Sequence, residues 1–125
     1  CCESITEKNH GCYRAQCHET TRRIAAEMGL KPGTFGTAFQ SRLGRDPWLQ
    51  PYTDETIKKL VAEGTKKILA FSPAFVADCL ETTIEVGEEY KELFEEAGGE
   101  HWQLVESLNN SPEYVALLED LVKNS

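Results

Sequence analysis

The chain has 125 residues, 40% of them hydrophobic and 27% charged, and a formal net charge of −8. That is the size and balance of one ordinary globular domain, able to bury about two-thirds of the surface its unfolded chain exposes. The acidic excess argues against nucleic acid or an anionic membrane as the main partner. No apolar run approaches the ~20 residues that span a bilayer, and the opening residues lack a signal-peptide pattern. The chain starts at Cys1 without an initiator Met, and it reads as a piece of a longer protein.

Residues 1–11 show no periodicity and end at Gly11, which predicts a loop. From Tyr13 onward Cys17, Ile24 and Met28 recur at helical spacing, and Gly29, Pro32 and Gly33 supply the stop. Phe35, Thr37 and Phe39 alternate with small residues and predict a strand over 35–40. Residues 41–52 follow as a loop holding Gly44, Pro47, Trp48 and Pro51. Thr53, with Asp54 and Glu55 behind it, opens a helix whose inner side is Ile57, Leu60 and Val61 and whose end is Gly64. The apolar run Ile68-Leu-Ala-Phe71 suits a strand in a parallel sheet. A long acidic helix follows Pro73 and stops at Gly98-Gly99, and Trp102 to Val105 is a further short strand. Ser111-Pro112-Glu113 is a cap, an N1 proline and an acid in sequence, with Val115, Leu118 and Val122 as inward positions.

Helix and strand thus alternate with short connections. The fold class expected is α/β, an open parallel sheet flanked by helices on both faces, of the kind seen in a flavodoxin-like half. Because the chain begins with a helix, the strand that should feed it is expected upstream. Ligands of open α/β sheets bind at the carboxyl ends of the strands. The Trp48 loop and the acidic helix both follow such ends. No Gly-x-Gly-x-x-Gly occurs, so a dinucleotide site is unsupported.

The acidic helix includes Phe75-Val-Ala-Asp-Cys-Leu-Glu-Thr-Thr-Ile-Glu-Val-Gly-Glu-Glu-Tyr90. Asp78, Glu81, Glu85, Glu88 or Glu89, and Glu92 recur every three or four residues and stack along one helical face. Val76, Leu80, Ile84, Tyr90 and Phe94 are expected on the opposite, sheet-facing side. Two readings fit the row. One is a solvated surface. The other is a carboxylate ladder for a divalent cation or for protons, since carboxylate oxygens suit such cations and crowded carboxylates share protons.

Four of the five cysteines, Cys1, Cys2, Cys12 and Cys17, lie within the first seventeen residues. An odd count gathered at one end favours metal or cluster ligation over a disulfide framework. The spacing matches neither common zinc fingers nor ferredoxins, so zinc and free thiols stay as alternatives.

Two long segments carry a family resemblance: Phe39-Gln-Ser-Arg-Leu-Gly-Arg-Asp-Pro-Trp-Leu-Gln-Pro-Tyr-Thr-Asp-Glu55, and the stretch from Phe75 to Glu85 continuing through Glu89-Tyr90. With Glu106-Ser-Leu-Asn-Asn-Ser-Pro112 they resemble ferrochelatase, the enzyme that inserts ferrous iron into a porphyrin. The likeness runs from about Tyr13 to Val122 and covers most of the C-terminal half of the family's two-half α/β fold. It implies a chelatase-like domain over 13–125 behind a cysteine-rich loop over 1–12.

By that resemblance Glu81 is the active-site glutamate, a metal ligand or proton acceptor, with Glu85 and Glu89 continuing the row towards solvent. Trp48 lies at the pocket wall, led to by Gln40, Ser41 and Arg42, and Asp78 sits beside the acids. Burial and acidic neighbours are expected to raise the proton affinity of the innermost carboxylate. The family's catalytic histidine belongs upstream. His10, His18 and His101 stand outside its motif and are expected to be exposed. Cys79 occupies a place where some members have histidine, and it is expected to be buried.

One subgroup of the family places cluster cysteines in an internal insertion, which the N-terminal segment resembles. That implies a [2Fe–2S] cluster on Cys2, Cys12 and Cys17 with Cys1. The implied activity is iron insertion into protoporphyrin with release of two protons, absent from this piece without the N-terminal half of the protein. A cytoplasmic location follows, with any membrane contact made by that missing half. A cobalt-inserting relative and a non-catalytic iron–sulfur or metal-binding module are the alternatives.

Overall fold

In the computed structural model, the residues described are 5–42, 44 and 46–125. They fall into two compact units, Cys1–Thr56 and Ile57–Ser125.

In the first unit, α1 (Tyr13–Glu27) forms where helical spacing predicts it. It ends as glycine dictates. Gly29 takes φ 64°, and Leu30 N–H donates back to the Ala25 carbonyl at 2.8 Å. Its buried side is built from the small residues Ala15 and Ala25, whereas Tyr13 and Met28 are exposed. The Thr37 hydroxyl donates to Thr21 Oγ1 at 2.7 Å, and His18 meets the Phe39 ring edge-on.

The strand expected over 35–40 is reduced to a single parallel bridge between Phe39 and Tyr52. Phe39 N–H donates to the Pro51 carbonyl at 2.9 Å, and Thr53 N–H donates to the Phe39 carbonyl at 3.2 Å. The pairing cannot extend, because Pro51 has no N–H for the preceding rung and α2 (Thr53–Ala62) begins at the next.

In the second unit, β1 (Lys67–Ala70) and β2 (His101–Leu104) form a two-stranded parallel sheet with Ile68 opposite Trp102. The expected alternation of helices and parallel strands is therefore present. Each strand starts one residue earlier than the sequence suggests. Alternate residues Ile68, Ala70, Trp102 and Leu104 face a core that also holds Ile57, Val86 and Phe94. Lys67, Leu69, His101 and Gln103 lie on the other face and are exposed, so the expected second helical layer is missing among the described residues.

The crossover between the strands is a π-helical segment, Glu81–Glu89, running directly into α3 (Tyr90–Glu96). Its wider winding shows in the Tyr90 N–H, which donates to the Glu85 carbonyl five residues back. The core locks this segment from below. The buried Trp102 Nε1–H donates to the Val86 carbonyl at 2.9 Å, and Phe94 packs against Trp102 with ring centroids 5.7 Å apart. Gly99 is required where the chain turns towards β2, since a Cβ there would overlap the Phe94 ring.

Finally, α4 (Pro112–Asn124) starts as predicted, with Ser111 Oγ accepting from the Tyr114 N–H at 3.3 Å. Its expected inward positions Val115, Leu118 and Val122 are exposed, Val122 by 79%. The stripe of apolar residues is present, but the described residues supply no layer to cover it.

Candidate functional site

The acidic helix expected to follow Pro73 begins only at Leu80, winds as a π-helix over Glu81–Glu89 and becomes α-helical over Tyr90–Glu96, and this redistributes its faces. Thr82 and Val86 are buried, Phe94 is fully buried, and Tyr90 and Leu93 are half-buried against the same core. Leu80 and Ile84, expected on the sheet side, are turned outward, Leu80 by 74%. They stand among the acids. Leu80, Glu81, Ile84, Glu85 and Glu89 together line an open groove of about 310 Å³. The face that carries the carboxylates is therefore apolar as well as acidic.

Glu81 and Glu89 are exposed and Glu85 is half-buried, so the burial expected of the innermost carboxylate falls on Glu85 instead. The cause is local: the winding that drives Thr82 inward turns its neighbour Glu81 out. Tyr90 Oη donates to Glu85 Oε1 at 2.7 Å. Glu88 and Glu92 are exposed and are not among the groove-lining residues. The three acids form a row rather than a cage. Among the described residues no three His, Cys, Asp or Glu side chains converge on a point that could hold a metal ion.

Asp78, predicted beside the row, does not line the groove. Its carboxylate fastens the entry to the π segment onto the loop after β2. Oδ2 accepts from Asn109 Nδ2 at 2.7 Å, and the Asp78 N–H donates to Asn109 Oδ1 at 2.9 Å. Oδ1 accepts from the Ser107 N–H and the Thr82 hydroxyl, each at 3.4 Å. The Asn109 amide first, and Ser107 next, hold the Asp78 carboxyl below its ordinary range. Thr82, 1% exposed, completes the latch by sharing its single hydroxyl proton between Asp78 Oδ1 and the Cys79 carbonyl, the latter at 3.0 Å, while accepting from the Cys79 N–H. Cys79 itself is half-buried rather than buried.

In the first unit, the Trp48 indole N–H donates to the Gln40 carbonyl at 2.9 Å while its ring stays 38% exposed. Ser41 takes φ 59°, a left-handed conformation uncommon outside glycine, within the loop that presents this ring. The Arg42 guanidinium lies 4.7 Å from the Tyr52 ring centroid.

Of the predicted cluster residues, Cys1 and Cys2 lie outside the described residues. Cys12 is the N-cap position of α1 and Cys17 lies within that helix, and both are half-buried. The described residues thus provide no cluster site. Of the histidines, His10 and His101 are exposed as expected, but His18 is half-buried against Phe39. Leu80, Ile84 and Tyr90 were expected on the sheet-facing side and not at the site, and the Asn109 latch was not foreseen. Only the segment 106–112 carried any signal for Asn109.

Fold and groove together define an α/β chain that presents carboxylates and apolar side chains on the helix following a strand's carboxyl end. The ferrochelatase family model matches residues 2–125. A ferrochelatase of Legionella pneumophila (strain Lens) is 46% identical over 121 residues, 97% of this chain and 37% of the relative. One from Ectopseudomonas mendocina (strain ymp) is 49% identical over 114 residues, covering 91% of this chain and 34% of that protein. One from Pseudomonas putida KT2440 is 45% identical over 126 residues, 100% of this chain and 37% of the relative. The chain belongs to the ferrochelatase family. It spans about a third of the length of these curated relatives.

Proposed function

We propose that this chain carries the metal-handling face of a ferrochelatase, inserting ferrous iron into protoporphyrin to form heme. The groove lined by Leu80, Glu81, Ile84, Glu85 and Glu89 carries the reading, because it unites two requirements of the reaction. A flat macrocycle is held by apolar contact, and Leu80 and Ile84 offer apolar surface that would otherwise gain nothing from exposure. A ferrous ion in transit needs oxygen ligands that also release it, and a row of carboxylates grips more weakly than a closed cage.

In this mechanism Glu81 is the ligand or proton acceptor at the porphyrin, and Glu85 and Glu89 pass cation or protons along the row. Each insertion removes two pyrrole protons, which the carboxylates accept and release to water. Trp48 supplies an aromatic pocket wall from its loop. Asp78 contributes by fixing the start of the π segment. The family membership supports these roles, and so does the placement of the three acids on one groove.

The domain reading is a cysteine-bearing insertion over 1–12 followed by a chelatase-like domain over 13–125, cytoplasmic and inactive without the N-terminal half of the protein. A [2Fe–2S] cluster on Cys1, Cys2, Cys12 and Cys17 is a separate proposal that rests on their crowding at one end of the chain. No step of insertion runs through it, and iron and acid-labile sulfide analysis of anaerobically purified protein tests it.

The decisive experiment is anaerobic ferrous insertion into protoporphyrin by the complete natural polypeptide and its Glu81→Gln variant. Loss of about a hundredfold or more in kcat is expected for removal of a group that handles protons in the rate-determining step. Unchanged turnover would remove Glu81 from the mechanism. If the wild type binds ferrous iron but leaves protoporphyrin unmetalated, a non-catalytic metal-binding module replaces the enzyme reading.

A further inference from the structure

We infer that Tyr90 is a positioning residue for Glu85, fixing the direction of that carboxylate where it lines the groove. The inference rests on the ladder reading above and adds a residue to it. Tyr90 is half-buried, and its ring packs against the core of Ile57, Val86, Phe94 and Trp102. Its hydroxyl emerges from that core and donates to Glu85 Oε1 at 2.7 Å. Glu85 lines the groove. A rigid aromatic stem thus connects the packed interior to the middle carboxylate of the row.

The contact exists because of the π winding. On an α-helix, residues five apart point about 140° away from each other, and Tyr90 could not reach Glu85. In the segment Glu81–Glu89 the backbone bond itself runs from Tyr90 N–H to the Glu85 carbonyl. Backbone and side chain of Tyr90 therefore both return to Glu85. A phenol near neutral pH is protonated and can donate to the carboxylate. With Oε1 so engaged, the direction of the Glu85 carboxylate is fixed before a cation arrives, and that pre-orientation favours binding.

Tyr90→Phe keeps the ring and its packing and removes only the donor. The test is a double-mutant cycle in the complete natural polypeptide, with wild type, Tyr90→Phe, Glu85→Gln and the pair. Cobalt(II) is the probe, titrated anaerobically by calorimetry, and thermal melting is recorded for each protein. Tyr90→Phe is expected to weaken cobalt binding about three- to tenfold, the scale of one hydrogen bond to a charged group. In the Glu85→Gln background the same change should leave affinity within about twofold, since uncoupled effects would add instead. Equal losses in both backgrounds would overturn the inference and mark a purely structural tyrosine. So would unchanged affinity in Tyr90→Phe beside a clear loss in Glu85→Gln, while the ladder itself survived. If Glu85→Gln leaves cobalt binding intact, the ladder reading fails and the positioning role falls with it.

Discussion

Two helical stretches of this chain invert each other. The helix α4 obeys every local rule, with its serine cap, N1 proline and apolar stripe, yet it buries no residue. The segment Glu81–Glu89 departs from α-helical winding and supplies both a wall of the core and the floor of the groove. Local rules place the ends of a helix. Which face is buried depends on what the rest of the molecule offers, and here Trp102 and Phe94 claim the Val86 side.

The contrast can be broken most sharply from the core. Phe94→Ala is expected to cost about 3–5 kcal/mol in denaturant unfolding of the 125-residue chain, as for other fully buried aromatics. A loss under about 1 kcal/mol would mean that the π segment is not held from below. Gly99→Ala should cost about 1–3 kcal/mol, because the new methyl must displace the Phe94 ring. An unchanged midpoint would show that the turn before β2 yields freely.

The latch at Asp78 sharpens the comparison through pH. Its carboxyl is held below the ordinary value of 3.8 by Asn109 and then Ser107. A depressed folded pKa contributes stability that is present above the unfolded value and lost as pH falls through the folded one. Asn109→Ala should therefore lower stability at neutral and alkaline pH, make the fall on acidification shallower, and bring the two profiles together at low pH. An unaltered acid limb would show that the latch carries no linked proton. The smallest effect is reserved for α4. Val122→Ala in the 125-residue chain should change stability by no more than about 0.5 kcal/mol, as for other exposed sites, and a larger loss would show that its face is covered.

Much of this architecture was legible in the residues. Gly29, Thr53 and Ser111-Pro112 mark helix ends where the structure has them, and the two apolar runs mark the parallel strands to within one residue. The carboxylate row was legible too, since Glu81, Glu85 and Glu89 are four apart and remain on one groove after the change of winding. What periodicity could not reveal is the winding itself. Assuming α-helical geometry puts Leu80 and Ile84 on the buried side and Tyr90 far from Glu85, and the structure reverses both. The strand expected over 35–40 fails for a similarly non-local reason, the absent N–H of Pro51 on its partner. Asn109 has no signature of its own, since an asparagine in a polar loop becomes a latch only when Asp78 arrives opposite it.

The central claim is that the row on the π segment handles the metal. It is tested most directly by anomalous scattering from crystals of the complete natural polypeptide soaked anaerobically with cobalt(II). The account predicts a cobalt peak in the groove, within bonding distance of carboxylate oxygens of Glu81, Glu85 or Glu89. A peak at the cysteines with none in the groove would contradict it.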